Sequence, residues 1–334
     1  MRRQRWVAFV ASLLVAIFFA HTASAQTVDA GRGAIPLHVP PSYSALNPAP
    51  LIVLLHGYTS SGAVTEAYMQ FSPLADEFGF LLIAPDGLVD CGTNPFWNAT
   101  DACCHFCGGV VDDVGYLTAL IDAIKAGYNV DAQRIYFMGH SNGGFMSYRM
   151  ACERSHLVAG VATLAGATYF DPLDCNPSEP VHTLQIHGTA DATILYGGGI
   201  ISAGTVVNVS YPGAVQTTET WATFNGCSLT PDTSPPNLDL ESTIVGNEST
   251  VSRYDAGCMS GGSAELWTIP AGSHVPSLST NFSREIVLHF LAHPKPAATA
   301  VPAFDTRSLL VLGLSLAAMG FVAVVVRGQA AESI

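Results

Sequence analysis

Apolar segments that end in turns recur along the chain and predict the strands of a central sheet. They lie at residues 51–55, 80–84, 134–138, 181–186 and 264–269. The first two are unbroken apolar runs, which are typical of strands buried on both faces of a parallel sheet. These segments are numerous enough to form one large sheet.

The segments between these strands carry helical periodicity. Helices are predicted at residues 63–78, 113–128, 142–153 and 284–292. Alternation of strand and helix predicts a mostly parallel, doubly wound α/β sheet with helices on both faces. Two polar, irregular segments, 197–211 and 230–247, are predicted to lie outside the core, over the rim of the site described below.

Both chain ends differ from this pattern. Residues 1–25 combine three arginines, an apolar run and the small residues Ala23-Ser24-Ala25, which together indicate a secretory signal peptide. A Pro/Ala linker is expected at 294–307, after a catalytic domain at 26–293. In the tail at 308–334, an uncharged apolar stretch of 18 residues would be about 27 Å long as a helix, just enough to span a membrane. The tail is either a retained anchor or a processed sorting signal, so the protein is expected to be secreted or held at the cell surface.

Charge excludes one class of partner. The 334-residue chain has a net charge of −13, and removal of the signal peptide with its three arginines would leave −16. Lys125 and Lys295 are the only lysines in the sequence. Because a nucleic-acid interface needs a cluster of cations, we do not expect a nucleic-acid partner.

The pentapeptide Gly139-His140-Ser141-Asn142-Gly143 indicates serine hydrolysis. It joins the strand at 134–138 to the helix at 142–153, the context of a nucleophile elbow. A serine on such a sharp turn needs neighbours without side chains, and the two glycines meet that need. Ser141 is therefore the predicted nucleophile.

A serine hydrolase needs a base and an acid, which follow the serine in the order acid, then histidine. Asp191 directly follows the strand at 181–186, at the sheet edge where ligands bind, and is the predicted acid. His274 lies in a loop after the strand at 264–269, whereas His289 and His293 lie on the last helix. We therefore predict His274 as the base, and His187 as a structural residue.

The oxyanion hole is predicted at two backbone N–H groups. Asn142 supplies one at the start of a helix, where developing negative charge is favoured. Tyr58 supplies the other, because residues 56–59 form the loop after the first apolar strand. His56 is expected to brace this loop rather than to act as a second base.

Eight cysteines in an exported chain indicate disulfides. Their order and placement favour Cys152 with Cys175 and Cys227 with Cys258. Cys91 is expected to pair with Cys103 or Cys104, and the sequence does not distinguish between the two. Cys104 and Cys107 also have the spacing of zinc ligands, but no second pair repeats it, so no metal is expected.

Several motifs in fixed order resemble the secreted esterase family that contains polyhydroxybutyrate depolymerases, feruloyl esterases and acetylxylan esterases. They are Leu55-His56-Gly57, Trp97-Asn98-Ala99, Asp112-Asp113-Val114-Gly115-Tyr116, the elbow, and His187-Gly188-Thr189-Ala190-Asp191. The resemblance implies an α/β-hydrolase fold and ester hydrolysis through an acyl-enzyme, without a cofactor. Candidate substrate-binding residues in and near the motifs are His56, Thr59, Trp97 and His140. Tyr58 and the segment after His274 depart from the family pattern.

Two other functions stay open at this point. The fold could serve as a catalytically silent surface-binding module, or the same triad could support peptidase activity. The expected partner is an ester, either polysaccharide-linked or a polyester. A separate substrate-binding domain of the kind used on polyester granules is not apparent, which favours soluble or polysaccharide-linked esters.

Overall fold

The computed structural model describes residues 26–297. The signal peptide and the apolar tail predicted at the two chain ends lie outside these residues. Thirteen strands and six α-helices are formed. The strands are β1 (Thr27–Asp29), β2 (Ala34–His38), β3 (Ala49–Leu55), β4 (Leu81–Ile83), β5 (Leu88–Val89), β6 (Pro95–Phe96), β7 (Val130–His140), β8 (Gly160–Leu164), β9 (His182–Gly188), β10 (Gly198–Ala203), β11 (Val206–Pro212), β12 (Thr250–Tyr254) and β13 (Ser263–Ile269). The helices are α1 (Gly62–Met69), α2 (Phe71–Phe78), α3 (Asp113–Gly127), α4 (Asn142–Glu153), α5 (Ala214–Phe224) and α6 (Phe282–Ala292).

Nine strands form the central sheet in the order β1-β2-β4-β3-β7-β8-β9-β13-β12. The six strands from β4 to β13 in that order are parallel, and antiparallel strands close both edges. The predicted doubly wound, mostly parallel sheet is confirmed. Its parallel strands end at one edge, which is where the loops carrying Ser141, Asp191 and His274 begin.

Alternate residues of the central strands enter two different cores. Leu51, Val53 and Leu55 of β3 belong to one hydrophobic cluster, with residues of α3, α4 and α5. Ile52 and Leu54 belong to the other, with residues of α1, α2 and α6. Because both of its faces are covered, β3 is apolar and buried at every position, as expected for a strand inside a parallel sheet.

The helix predicted at residues 63–78 is interrupted. Gln70 adopts a left-handed conformation with φ of 55° and divides the segment into α1 and α2. Pro73 accounts for the break, because in a continuous helix its ring would clash with the carbonyl of residue 69. The Glu66 carboxylate accepts from the N–H groups of Phe71 and Ser72 and so caps α2 in place of the missing helical bonds.

The segment predicted as an irregular excursion at 197–211 instead contains the hairpin of β10 and β11. Helix α5 and the edge strand β12 were not anticipated either. Between residues 26 and 297, no helix is both long and apolar enough to cross a membrane.

Candidate active site

Ser141 occupies a strained turn between β7 and α4. Its backbone has φ of 52° and ψ of −120°, a conformation that L-residues rarely adopt. Its N–H donates to the Leu164 carbonyl at 2.8 Å, which fixes the turn against the next strand. A Cβ on Gly139 would overlap the backbone of Gly143, and one on Gly143 would overlap the Leu55 carbonyl. The elbow therefore requires glycine at both positions, as the sequence predicted.

His274 and Asp191 form a direct hydrogen bond. His274 Nδ1 lies 2.8 Å from Asp191 Oδ2, and the Asp191 carboxylate is fully buried. The other carboxylate oxygen accepts from the backbone N–H groups of Thr193 and Ile194. Burial alone would raise the pKa of Asp191, but the neighbouring His187 and His274 rings outweigh this effect and hold the pKa well below its usual range. An ionised Asp191 keeps the proton of His274 on Nδ1 and leaves Nε2 able to accept one.

Ser141 and His274 line the same cleft, which has a volume of about 350 Å³. Its remaining walls are formed by the loop after β3, by helix α1 and by the segment after His274. The lining residues are Gly57, Tyr58, Ser60, Val64, Thr65, Tyr68, His140 and Val275. Val64 and Val275 are more than half exposed and lie at the rim. The Tyr68 hydroxyl donates to the Pro276 carbonyl, so its ring is held as a wall of the cleft.

The two residues predicted to form the oxyanion hole adjoin Ser141, since Asn142 follows it in sequence and Tyr58 lines the same cleft. Asn142 N–H is at the first position of α4, whereas Tyr58 follows Gly57 in the loop after β3. Within the described chain neither N–H donates to another protein group. The helix dipole of α4 adds positive potential at the same place.

Two predicted substrate-binding residues lie too deep for that role. His56 is fully buried, donates through Nδ1 to the Gly57 carbonyl and accepts at Nε2 from Gly87 N–H. Trp97 is also fully buried and donates through Nε1 to the His56 carbonyl. Assigning substrate contacts to His56 and Trp97 was therefore wrong. Burial lowers the pKa of His56, and its two hydrogen bonds fix the loop that carries Tyr58.

The other two predicted substrate-binding residues differ from each other. His140 lines the cleft beside Ser141. Thr59 does not, because its left-handed backbone conformation, with φ of 68°, turns the chain away and its N–H donates to the Pro95 carbonyl. Ser60 lines the cleft in its place.

The side chain of Asn142 has a structural function that sequence reasoning missed. Its Oδ1 accepts from Trp97 N–H at 2.7 Å and its Nδ2 donates to the Trp97 carbonyl at 2.9 Å. This pair of bonds attaches the start of α4 to the segment after β6. No signal in the sequence links these two positions, which are 45 residues apart.

Four disulfides join all eight cysteines. Cys152 pairs with Cys175 and Cys227 with Cys258, as predicted from their order and placement. Cys91 pairs with Cys107 rather than with Cys104 or Cys103, and those two pair with each other. The expected pairing of Cys91 with Cys103 or Cys104 was wrong, because the hairpin of β5 and β6 turns the chain so that Cys91 meets the far end of the 103–107 loop. Cys104 and Cys107 therefore belong to separate disulfides.

Comparison with known proteins supports the resemblance seen in the motifs. Residues 34–176 match the sequence model of the family described as Esterase PHB depolymerase. Feruloyl esterase B of Piromyces equi is 27% identical over 238 residues, which make up 70% of this chain and 41% of that protein. Poly(3-hydroxyalkanoate) depolymerase C of Paucimonas lemoignei is 31% identical over 135 residues, 40% of this chain and 31% of that protein. The predicted resemblance to this esterase family is confirmed.

The solved structure of an acetyl xylan esterase from Aspergillus awamori shares the fold. The TM-score is 0.57 at 14% identity, and the match covers 79% of this chain and 98% of that one. The α/β-hydrolase fold is therefore confirmed. The chain spans about half the length or less of several curated relatives that it matches.

Proposed function

We propose that this protein is a serine carboxylic ester hydrolase that works through an acyl-enzyme. The observation that carries the proposal is the placement of Ser141 and His274 in one cleft, with His274 hydrogen-bonded to the buried Asp191. The resemblance to feruloyl esterases and polyhydroxybutyrate depolymerases supports the same reaction.

The proposed reaction follows from the placement of Ser141 and His274 in one cleft and from the bond between His274 and Asp191. Ser141 Oγ attacks the ester carbonyl while His274 Nε2 takes its proton, and Asp191 stabilises the resulting imidazolium. The N–H groups of Tyr58 and Asn142 stabilise the oxyanion of the tetrahedral intermediate. When the C–O bond breaks, His274 returns the proton to the leaving alcohol. Water then attacks the acyl-serine by the same path, which releases the acid and restores Ser141.

The lining of the cleft favours uncharged esters. Val64, Tyr68 and Val275 give it an apolar wall, and no Lys or Arg lines it in the described chain. Feruloyl and acetyl esters linked to polysaccharide meet this requirement, and so do short hydroxyalkanoate oligomers. A panel of these esters would rank the substrates by kcat/KM.

The protein is further proposed to be exported, with the catalytic domain outside the cell and a tail that is either an anchor or a sorting segment. Four disulfides among the described residues support an oxidising compartment. Cell fractionation with an antibody against the catalytic domain tests this location.

Hydrolysis of a short p-nitrophenyl ester tests the proposed reaction. We expect wild-type protein to turn over the ester and Ser141→Ala to lose this activity while keeping its melting temperature. Turnover by Ser141→Ala equal to that of the wild type would contradict the role of Ser141. A wild-type protein inactive on every ester would favour the silent binding module.

A further inference from the structure

A second histidine lies beside the proposed catalytic acid. His187 Nε2 is 3.3 Å from Asp191 Oδ2 and 2.7 Å from the Ile194 carbonyl oxygen, and the side chain is 1% exposed. A carbonyl can only accept, so Nε2 must carry a hydrogen. That N–H therefore lies between two acceptors, the carbonyl and the carboxylate.

Gln185 determines whether the other ring nitrogen of His187, Nδ1, donates or accepts a hydrogen bond. Its Oε1 accepts from the hydroxyls of Tyr148 at 2.9 Å and Thr163 at 2.6 Å. Its Nε2 lies 2.9 Å from the Gly166 carbonyl and 3.0 Å from His187 Nδ1. Because a carbonyl needs a donor, the amide orientation is fixed, and Gln185 donates to His187 Nδ1.

His187 is consequently held as a neutral donor. A proton on Nδ1 would face the amide N–H of Gln185, so the doubly protonated ring is disfavoured in this position. For the same reason His187 cannot compete with His274 as a base. The lone pair of His187 Nδ1 already accepts a hydrogen bond from Gln185. The buried chain from Gln185 through His187 ends at Asp191.

We propose that His187 is a positioning residue whose Nε2–H, bonded to the Ile194 carbonyl, also faces Asp191 Oδ2 at 3.3 Å and keeps this carboxylate directed at His274. The inference rests on the proposed esterase function. Asp191 Oδ2 is then approached by two imidazole N–H groups, while Oδ1 accepts from two backbone N–H groups.

Few other titratable groups lie near this pair. His140 on β7 and Tyr211 on β11 interact with Asp191 through space, and Tyr196 packs its ring against His187. No Lys or Arg forms an ion pair with Asp191 in the part of the chain that the structure describes. His187 and His274 are therefore the side chains whose removal should change the environment of the Asp191 carboxylate.

The test compares His187→Leu with His187→Gln on a p-nitrophenyl ester. His187→Leu removes the donor, whereas His187→Gln retains an amide N–H at a similar reach. We expect His187→Leu to lower kcat by about 10-fold or more with little change in KM, and to move the acid limb of kcat/KM up by about one pH unit. His187→Gln should recover most of both losses. Equal profiles for wild type and His187→Leu, or a uniform loss with an unmoved acid limb, would overturn the proposal.

A second measurement needs neither a variant nor turnover. The ring ¹⁵N shifts of His187 in the wild-type protein report its tautomer, and we expect hydrogen on Nε2 with Nδ1 accepting from Gln185. Hydrogen on Nδ1 in place of Nε2 would overturn the proposal even if the enzyme is active. Conversely, the expected tautomer in a protein that hydrolyses no ester would contradict the esterase function and not the placement of the His187 N–H against Asp191.

Discussion

The Nε2–H of His140 donates to the main-chain carbonyl of His274 at 2.8 Å. The residue before the proposed nucleophile is therefore bonded to the loop that carries the proposed base. Desolvation of the ring, and then the neighbouring His274, lower the pKa of His140 to about 4. His140 is thus neutral at pH 7 and serves as a fixed donor between the two halves of the site.

Loss of the His140 donor should leave the loop that carries His274 less well positioned. We expect His140→Ala to lower kcat/KM for a p-nitrophenyl ester by about 10- to 100-fold, because small displacements of a catalytic group are costly. His140→Gln is the matched control, since its amide N–H can replace the donor and should keep most of the activity. Wild-type kinetics in His140→Ala would show that the bond does not position His274.

The side chain of Asn142 should contribute to stability more than to chemistry. Asn142→Ala removes both bonds to Trp97 and leaves a buried backbone N–H without its partner, which costs about 2–4 kcal/mol. Urea unfolding followed by tryptophan fluorescence measures the loss. The backbone N–H of residue 142 is retained, so the folded variant should still hydrolyse the ester. A change below about 0.5 kcal/mol would contradict the bracing role.

The parts of the site that the sequence predicts are those with local signals. Ser141 lies in a glycine-flanked elbow, while Asp191 and His274 lie in loops directly after apolar strands. Substrate contacts were misassigned at His56 and Trp97 because a motif does not reveal how deeply its residues are buried.

The missed features depend on tertiary contacts or on local competition. Gln185 and His187 lie on the same face of β9, but the orientation of the Gln185 amide depends on hydroxyls from β8 and α4. The apolar pattern of 63–78 looked continuous, yet Pro73 and the capping carboxylate of Glu66 divide it. The partner of Cys91 depends on the path of the β5–β6 hairpin, which sequence spacing does not contain.

Acid should destabilise the folded domain. Burial lowers the pKa of four histidines. The pKa of His140 falls to about 4 and that of His182 to about 3, and the pKa values of His56 and His289 are also lowered. The unfolded chain binds these protons near pH 6.5, so stability is fully present above that value and falls as the pH drops toward the folded-state pKa values. Each such histidine adds up to about 1.4 kcal/mol per pH unit to the slope.

Urea unfolding at pH 7.5, 6.0 and 5.0 measures this slope. His182→Asn is a suitable comparison, because it removes one titrating ring and can still bond to Ser263. We expect the free energy of unfolding of this variant to depend less steeply on pH than that of the wild type. A free energy of unfolding that does not change between pH 7.5 and pH 5.0 would contradict the burial of neutral histidines.

The Cys152–Cys175 disulfide should stabilise the loop after β8. It attaches this loop to α4 and closes a sequence separation of 23 residues. In the chain-entropy account, Cys152→Ala with Cys175→Ala should lower the free energy of unfolding by about 3 kcal/mol. Urea unfolding without reductant checks the value, and a loss below about 1 kcal/mol would indicate that the unfolded chain is not restrained by this bond.

Covalent labelling of Ser141 tests the central claim most directly. Intact-mass spectrometry after incubation with a fluorophosphonate should show one adduct per molecule, and peptide mapping should locate it on Ser141. Ser141→Ala should remain unlabelled, and prior incubation with an ester substrate should slow labelling of the wild type. An unlabelled wild-type protein, or an adduct on a residue other than Ser141, would contradict the proposed nucleophile.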